Sequence, residues 1–195
     1  MKVIMSYDAN AAYNSGAPGQ GVPGAGQGYG GQGFGGAPRG AASPDDLSLP
    51  LYGASFGQAV KRFFKNYVNF KGRASRSEYW FAALFVALLM IIPVILYSIG
   101  LVGMLTSLAT ADPYGMSASA GPSGGSIAMA AIGGILLGII GLAVLLPQLA
   151  IAWRRLHDAN FSGLLYLISL TGIGGIVVFV LMMMPSKPEG QRFDA

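Results

Sequence analysis

Cysteine is absent and histidine occurs once, at His157, which excludes disulfides, thiolate chemistry and any zinc or iron-sulfur site built from several such ligands. Charge is also scarce. Lys, Arg, Asp and Glu make up 10% of the 195 residues, against about 25% in an ordinary soluble domain, too few to clothe a surface that faces water on every side. Hydrophobic residues take their place, at 53% of the chain with a mean hydropathy of +0.54. They are gathered into long uncharged blocks instead of being dispersed with helix or strand periodicity, which is the pattern of membrane spans.

The net charge of +4 is unevenly placed, since six of the twelve basic residues lie between Lys61 and Arg76, just ahead of the first apolar block. That position favours anionic lipid headgroups over nucleic acid as the partner. Ahead of it, residues 1–50 are a Gly-rich tail, with twelve glycines between Gly16 and Gly40. Bulky aliphatic side chains are too few there to offset the roughly 1 to 2 kcal/mol that ordering each residue costs, so the tail is expected to be disordered. Lys2-Val3-Ile4 is followed almost at once by polar residues, unlike a secretory signal. Gly28, Gly30 and Gly33 match a nucleotide-binding glycine spacing, but no strand precedes and no helix follows, so composition explains them.

Within residues 54–70, Phe56, Val60, Phe63, Phe64, Tyr67 and Val68 recur at helical spacing, opposite Gln58, Lys61, Arg62, Lys65 and Asn66. An amphipathic helix lying in the membrane interface is predicted. Ser75 and Glu78, three apart before an apolar run, form a capping-box signature. Three uncharged blocks follow, with spans expected at about 79–105, 126–153 and 162–184 in a transmembrane domain of residues 75–185, and a polar tail at 186–195. Pro93 and Pro147 are kink positions, and Gly172, Gly174 and Gly175 predict a break in the third span. The fold class expected is an all-α membrane protein: a disordered tail, an interfacial helix and three transmembrane helices. With basic residues on one side of the first two spans and none in the loop between them, the N-terminus is expected in the cytoplasm and, after three crossings, the C-terminus outside.

The charges at the cytoplasmic ends of the spans form a candidate collar of Arg73, Arg76, Glu78, Arg154, Arg155, His157 and Asp158. Glu78 is expected to meet Arg154 or Arg155, and Asp158 to meet Arg73 or Arg76, in bidentate pairs that lock the first two spans; the alternative is that each sits singly in the headgroup layer. His157 titrates near neutrality when unperturbed, but one histidine points to hydrogen bonding at the interface before catalysis. Met182, Met183 and Met184 point about 100° apart on a helix and cannot converge on copper. Gly134, Gly138 and Gly141 share one face and are candidates for close helix packing, within the chain or with a second copy or another membrane protein. No cofactor is expected.

The segment Phe70-Lys71-Gly72-Arg73-Ala74-Ser75-Arg76-Ser77-Glu78-Tyr79-Trp80 and the segment Arg154-Arg155-Leu156-His157-Asp158, followed by Ser162-Gly163, together resemble the bacterial inner-membrane proteins of the domain of unknown function 805 family. The likeness covers roughly residues 56–195. Pro188-Glu189-Gly190-Gln191-Arg192-Phe193 is similar to that family's ending, with Glu189, Gln191 and Asp194 departing from it, and Leu164 and Leu165 stand where the family often has tryptophan. The resemblance implies a small polytopic protein of the inner membrane with no established activity. With no charge inside any expected span, the leading expectation is a non-enzymatic assembly or partner-binding protein. A small transporter or channel subunit is the rival, and a membrane enzyme using Glu78, His157 and Asp158 the third reading.

Overall fold

The computed structural model of the chain describes residues 38–110 and 121–194, and among these there is helix, turn and loop but no strand. The disorder expected of residues 1–37 lies outside the described residues. The chain divides into two compact units, Met1–Ala82 with Pro147–Ala195 as the first and Ala83–Leu146 as the second. Two long helices, α2 (Arg76–Ala109) and α3 (Gly124–Asp158), pass through both. Only 11% of the most apolar stretch of each is buried. A core helix of a soluble protein would be mostly covered, so the exposed Leu, Ile and Val side chains of these helices match lipid as their solvent.

In the first unit, α1 (Phe56–Lys65) begins in a reciprocal capping box: the Ser55 hydroxyl accepts from the Gln58 amide and the Gln58 side chain accepts from the Ser55 amide. Its buried residues are Ala59, Arg62 and Phe63, while Phe64 is exposed, as is Val68 in the turn that follows. The expected division into an apolar and a cationic face is therefore corrected at Arg62 and Phe64. Arg62 turns inward because a carboxylate and three carbonyls wait there. Residues 38–50, assigned to the tail by composition, are also held in place, with Ala41, Pro50 and Leu51 buried and the Ala41 amide donating to the Pro50 carbonyl at 2.8 Å.

In the second unit, the two long helices run antiparallel, since contacts step from Tyr97 with Gly133, through Gly100 with Ala130, to Gly103 with Ser126. A Cβ added at Gly100 would strike the Ala130 backbone, and one at Gly133 the Tyr97 backbone. These glycines let the helices approach. Of the expected trio, Gly138 and Gly141 have open space around them among the described residues, and a Cβ added at Gly134 would meet the Tyr97 ring at 3.7 Å, an ordinary contact. Hydroxyls inside the apolar stretch satisfy themselves on their own helix, as Ser98 does on the Val94 carbonyl at 2.7 Å and Thr106 on Val102 at 3.0 Å.

The third apolar block is two pieces, a 3-10 helix at Gly163–Leu170 and α4 at Gly174–Met183. Helix α3 ends in a Schellman motif, with Asn160 left-handed at φ 66°, its amide on the His157 carbonyl at 2.9 Å and the Phe161 amide on Leu156 at 2.8 Å. Phe161 folds back onto Leu156, and the chain reverses. Gly163 then lies against Trp153, while at the far end of the block Arg155 donates to the carbonyls of Met182 (3.2 Å) and Met184. Both ends of the block thus return to the C-terminal turns of α3. Ten helical residues reach about 15 Å, half of the roughly 30 Å hydrocarbon core. The break expected beside Gly172, Gly174 and Gly175 is present, and it turns the block into a helical hairpin instead of a kinked single span, bent at Thr171–Ile173, where the Thr171 hydroxyl and amide both donate to the Ile168 carbonyl.

Replacing Gly133 with Leu should cost about 1 to 3 kcal/mol by overpacking, whereas Gly138→Leu should leave stability within about 0.5 kcal/mol. Unfolding of the two detergent-solubilised variants checks the contrast.

Candidate functional site

The candidate site is a buried polar cluster in the first unit, built where the starts and ends of the elements converge. Ser75 opens α2, and its hydroxyl accepts from the Glu78 amide at 3.2 Å while Glu78 Oε2 accepts from the Ser75 amide at 2.8 Å. That reciprocal cap leaves a carboxylate in the first turn, where the helix dipole favours it. Glu78 Oε2 also accepts from the Leu51 amide at 3.0 Å, and Oε1 accepts from Arg62 Nε at 2.5 Å. Both side chains of this pair are 2% exposed. The remaining Arg62 nitrogens donate to the carbonyls of Pro44 (3.0 Å), Asp46 (2.5 Å) and Leu49 (2.6 Å). One guanidinium therefore fastens the 44–49 loop to α1 and α2.

Asp158, at the end of α3, is the second centre and is fully buried. Its Oδ1 accepts from the Tyr52 hydroxyl at 2.8 Å and from Arg73 Nη1 at 3.4 Å; its Oδ2 accepts from Arg155 Nη1 at 2.8 Å and from the Ser186 hydroxyl. Arg73 also forks onto Asp194, with Nε and Nη2 at 2.6 and 2.9 Å from its two carboxylate oxygens. His157 donates from Nδ1 to the Gly72 carbonyl at 3.0 Å and stacks on Phe193, with ring centres 4.1 Å apart and planes within 4°. The Gly72 amide bonds the Phe193 carbonyl at 3.0 Å, and the Lys187 amide bonds the Asp158 carbonyl at 2.9 Å. The C-terminal segment, including the 3-10 helix Pro188–Phe193, thus packs beside the segment that precedes α2.

Several pairings differ from those expected. Glu78 meets Arg62 instead of Arg154 or Arg155, because Arg155 is drawn to Asp158, one turn along its own helix, and to the end of the hairpin. Arg154 is buried, and its Nε and Nη1 have no hydrogen-bond partner among the described residues. Asp158 takes Arg73, while Arg76 is exposed and outside the ion pairs. The expected collar omitted Arg62, Tyr52, Ser186, Phe193 and Asp194. A signal for Arg62 existed: Ala59, Arg62 and Phe63 share one helical face. For Tyr52 and Asp194 the contacts join residues 106 and 121 positions apart, which local spacing does not encode.

Chemically the cluster is a fastening. Glu78 and Asp158, the carboxylates suited to acid-base work, spend both oxygens on donors from this chain. Burial holds the Tyr52 phenol above its ordinary pKa, with the Asp158 charge adding to the effect and Arg73 opposing it. On the surface, Lys61 and Lys65 both donate to Asp45 and hold its carboxyl down at about 2.

Removing one partner of a buried ion pair strands the other, so Glu78→Gln should destabilise the protein by about 3 to 5 kcal/mol, read by denaturant unfolding in detergent. Tyr52 is neutral in the fold, whereas in the unfolded chain it loses its proton near pH 10. Its contribution is therefore complete below about pH 10 and is lost as pH rises beyond that. Tyr52→Phe should lower stability at pH 8 by about 1 kcal/mol, through the lost hydrogen bond, and should flatten the decline between about pH 9 and 11 in a thermal-unfolding series.

Residues 67–195 match the family described as Protein of unknown function (DUF805). Over 135 residues the chain is 33% identical to the inner membrane protein YhaH of Escherichia coli strain K12, and equally to that of Escherichia coli O157:H7, which covers 68% of this chain and 89% of each relative. No solved structure matches. With its family match over most of its length and its two long lipid-compatible helices, this is a membrane protein, and it belongs to the DUF805 family.

Proposed function

We propose that this chain crosses the bacterial inner membrane twice, through α2 and α3, with the hairpin of Gly163–Met183 re-entering the same leaflet from the cytoplasmic side and both flanking regions in the cytoplasm. The distribution of basic residues supports this reading. All twelve Lys and Arg residues lie outside positions 77–153, so two crossings leave every one of them on a single side, as the positive-inside tendency favours. Three crossings would export Lys187 and Arg192, away from the partners that the tail contacts in the first unit. Phe56 and Phe64, exposed beside Lys61 and Lys65, give α1 the amphipathic surface of an interfacial helix.

Within that frame the protein acts as a non-enzymatic assembly or partner-binding protein. The carrying observation is that every oxygen of both buried carboxylates is already engaged by an Arg, Tyr, Ser or backbone donor of this chain, with two donors on each oxygen of Asp158 and two on Glu78 Oε2. The Gly138–Gly141 face, open in the second unit, supplies a surface for a partner helix, a second copy included. A transporter or channel subunit is the second reading, favoured by the half-length hairpin, because broken helices at membrane depth elsewhere line cavities.

Reporters active on one side of the membrane, fused in turn to each end, should both report the cytoplasm; an external C-terminus would overturn the two-crossing reading. Purified protein should form an oligomer that Gly138→Leu dissociates without unfolding the chain, and reconstituted vesicles should show no protein-dependent ion flux. Flux with an unaltered oligomer would transfer the case to the channel reading.

A further inference from the structure

Arg76 is the exposed cation that the cluster leaves outside its ion pairs. It stands in the first turn of α2 and takes no part in the ion pairs among the described residues. Around it the first unit has two adjoining cavities. The larger, about 490 Å³, is lined by Arg76, Ser77, Trp80, Phe81 and Met183. The smaller, about 210 Å³, is lined by the hydroxyl-bearing Tyr52, Ser75 and Ser186 and again by Arg76 and Ser77. Arg76 and Ser77 are thus a shared wall between an aromatic, apolar chamber and a polar one.

The surrounding charge favours an anion. Among the described residues, Arg62, Arg73, Arg154 and Arg155 are buried with Glu78, Asp158 and the partly buried Asp194, which leaves one guanidinium over even before Arg76 is added. A ligand that meets this surface needs a compact negative group for Arg76 and an apolar body for Trp80, Phe81 and Met183. A free phosphate would leave the larger chamber unused, and a neutral lipid would leave Arg76 uncompensated.

We infer that this double cavity binds one anionic phospholipid, its phosphate on Arg76 and Ser77 and an acyl chain along Trp80, Phe81 and Met183. The site rests on the reading of α2 as a membrane-crossing helix, because that puts its first turn at headgroup depth and its aromatics in the interfacial belt. A lipid held there would wedge between the start of α2 and the end of α4, joining the hairpin to the leaflet it enters.

The test uses the full chain. Trp80 and Trp153 are its two tryptophans, so Trp153→Phe isolates Trp80 fluorescence as the reporter. Vesicles of phosphatidylcholine doped with bromine-labelled phosphatidylglycerol should quench Trp80 at about fivefold lower label content than vesicles doped with bromine-labelled phosphatidylcholine, the factor expected of one cation facing an anionic headgroup. Arg76→Gln should abolish that preference and Arg76→Lys should retain most of it. Lys71→Gln, which removes an exposed cation outside the cavity, should leave it intact. Retention of added phosphatidylglycerol by the unsubstituted chain in native mass spectrometry, lost in Arg76→Gln, gives the same reading without the tryptophan substitution. Equal quenching by both labels, a preference that survives Arg76→Gln, or one that Lys71→Gln removes equally, would overturn the inference. Displacement of the lipid by millimolar inorganic phosphate would reassign the site to a soluble phosphate. The end-reporter experiment reads topology alone, so failure of the lipid site and failure of the two-crossing reading are separable.

Discussion

Asp158 is a carboxylate without access to water, and its burial organises the first unit around it. A charge taken out of water costs several kcal/mol unless donors surround it. Here the donors come from four separated parts of the chain: Tyr52 ahead of α1, Arg73 ahead of α2, Arg155 within α3, and Ser186 after the hairpin. None of these segments can leave without exposing the charge to an apolar surrounding. Glu78 and Arg62 repeat the logic nearby, with the loop at residues 44–49 as the captive segment.

That requirement also bears on the third apolar block. Arg155 has one nitrogen on Asp158 and others on the carbonyls that end α4, so the hairpin must close where it opened. The orphaned carbonyls at a helix C-terminus are met by a cation, which also opposes the helix dipole. A straight span through the same residues would carry Met184 and Ser186 to the opposite face of the membrane and leave both Arg155 and Asp158 short of partners. The stack of His157 on Phe193 and the fork of Arg73 on Asp194 then draw the last residues onto the same platform.

Much of this was legible in the sequence where the signal is local. The Ser75–Glu78 spacing announced the cap of α2, and uncharged runs announced the two long helices because lipid tolerates little charge over that length. What failed was inference across distance. Composition counted the third block as long enough to span, yet its route is decided by Arg155 reaching carbonyls 27 and 29 residues away. Sorting α1 by polarity sent Arg62 to the outside, although a buried carboxylate 16 residues on needed it within. The Gly134–Gly138 spacing marks a face that permits close approach but not which partner uses it; the contact inside the chain is made instead by Gly100 and Gly133, which no four-residue spacing joins. The tail at 38–50 looked empty because its anchors are backbone carbonyls, which every sequence has.

The segments that flank the apolar blocks are neighbours, and the absence of native cysteine makes this directly measurable. Lys71 and Arg192 flank the Gly72–Phe193 backbone bond of 3.0 Å. With Lys71→Cys and Arg192→Cys combined, a short thiol cross-linker applied to intact membranes should join the two positions within one chain in high yield. Glu78→Gln should weaken that yield only as far as it unfolds the protein. A pair that stays uncross-linked while Arg192→Cys reacts with a membrane-impermeant reagent from the periplasmic side would contradict the shared platform and restore a third crossing.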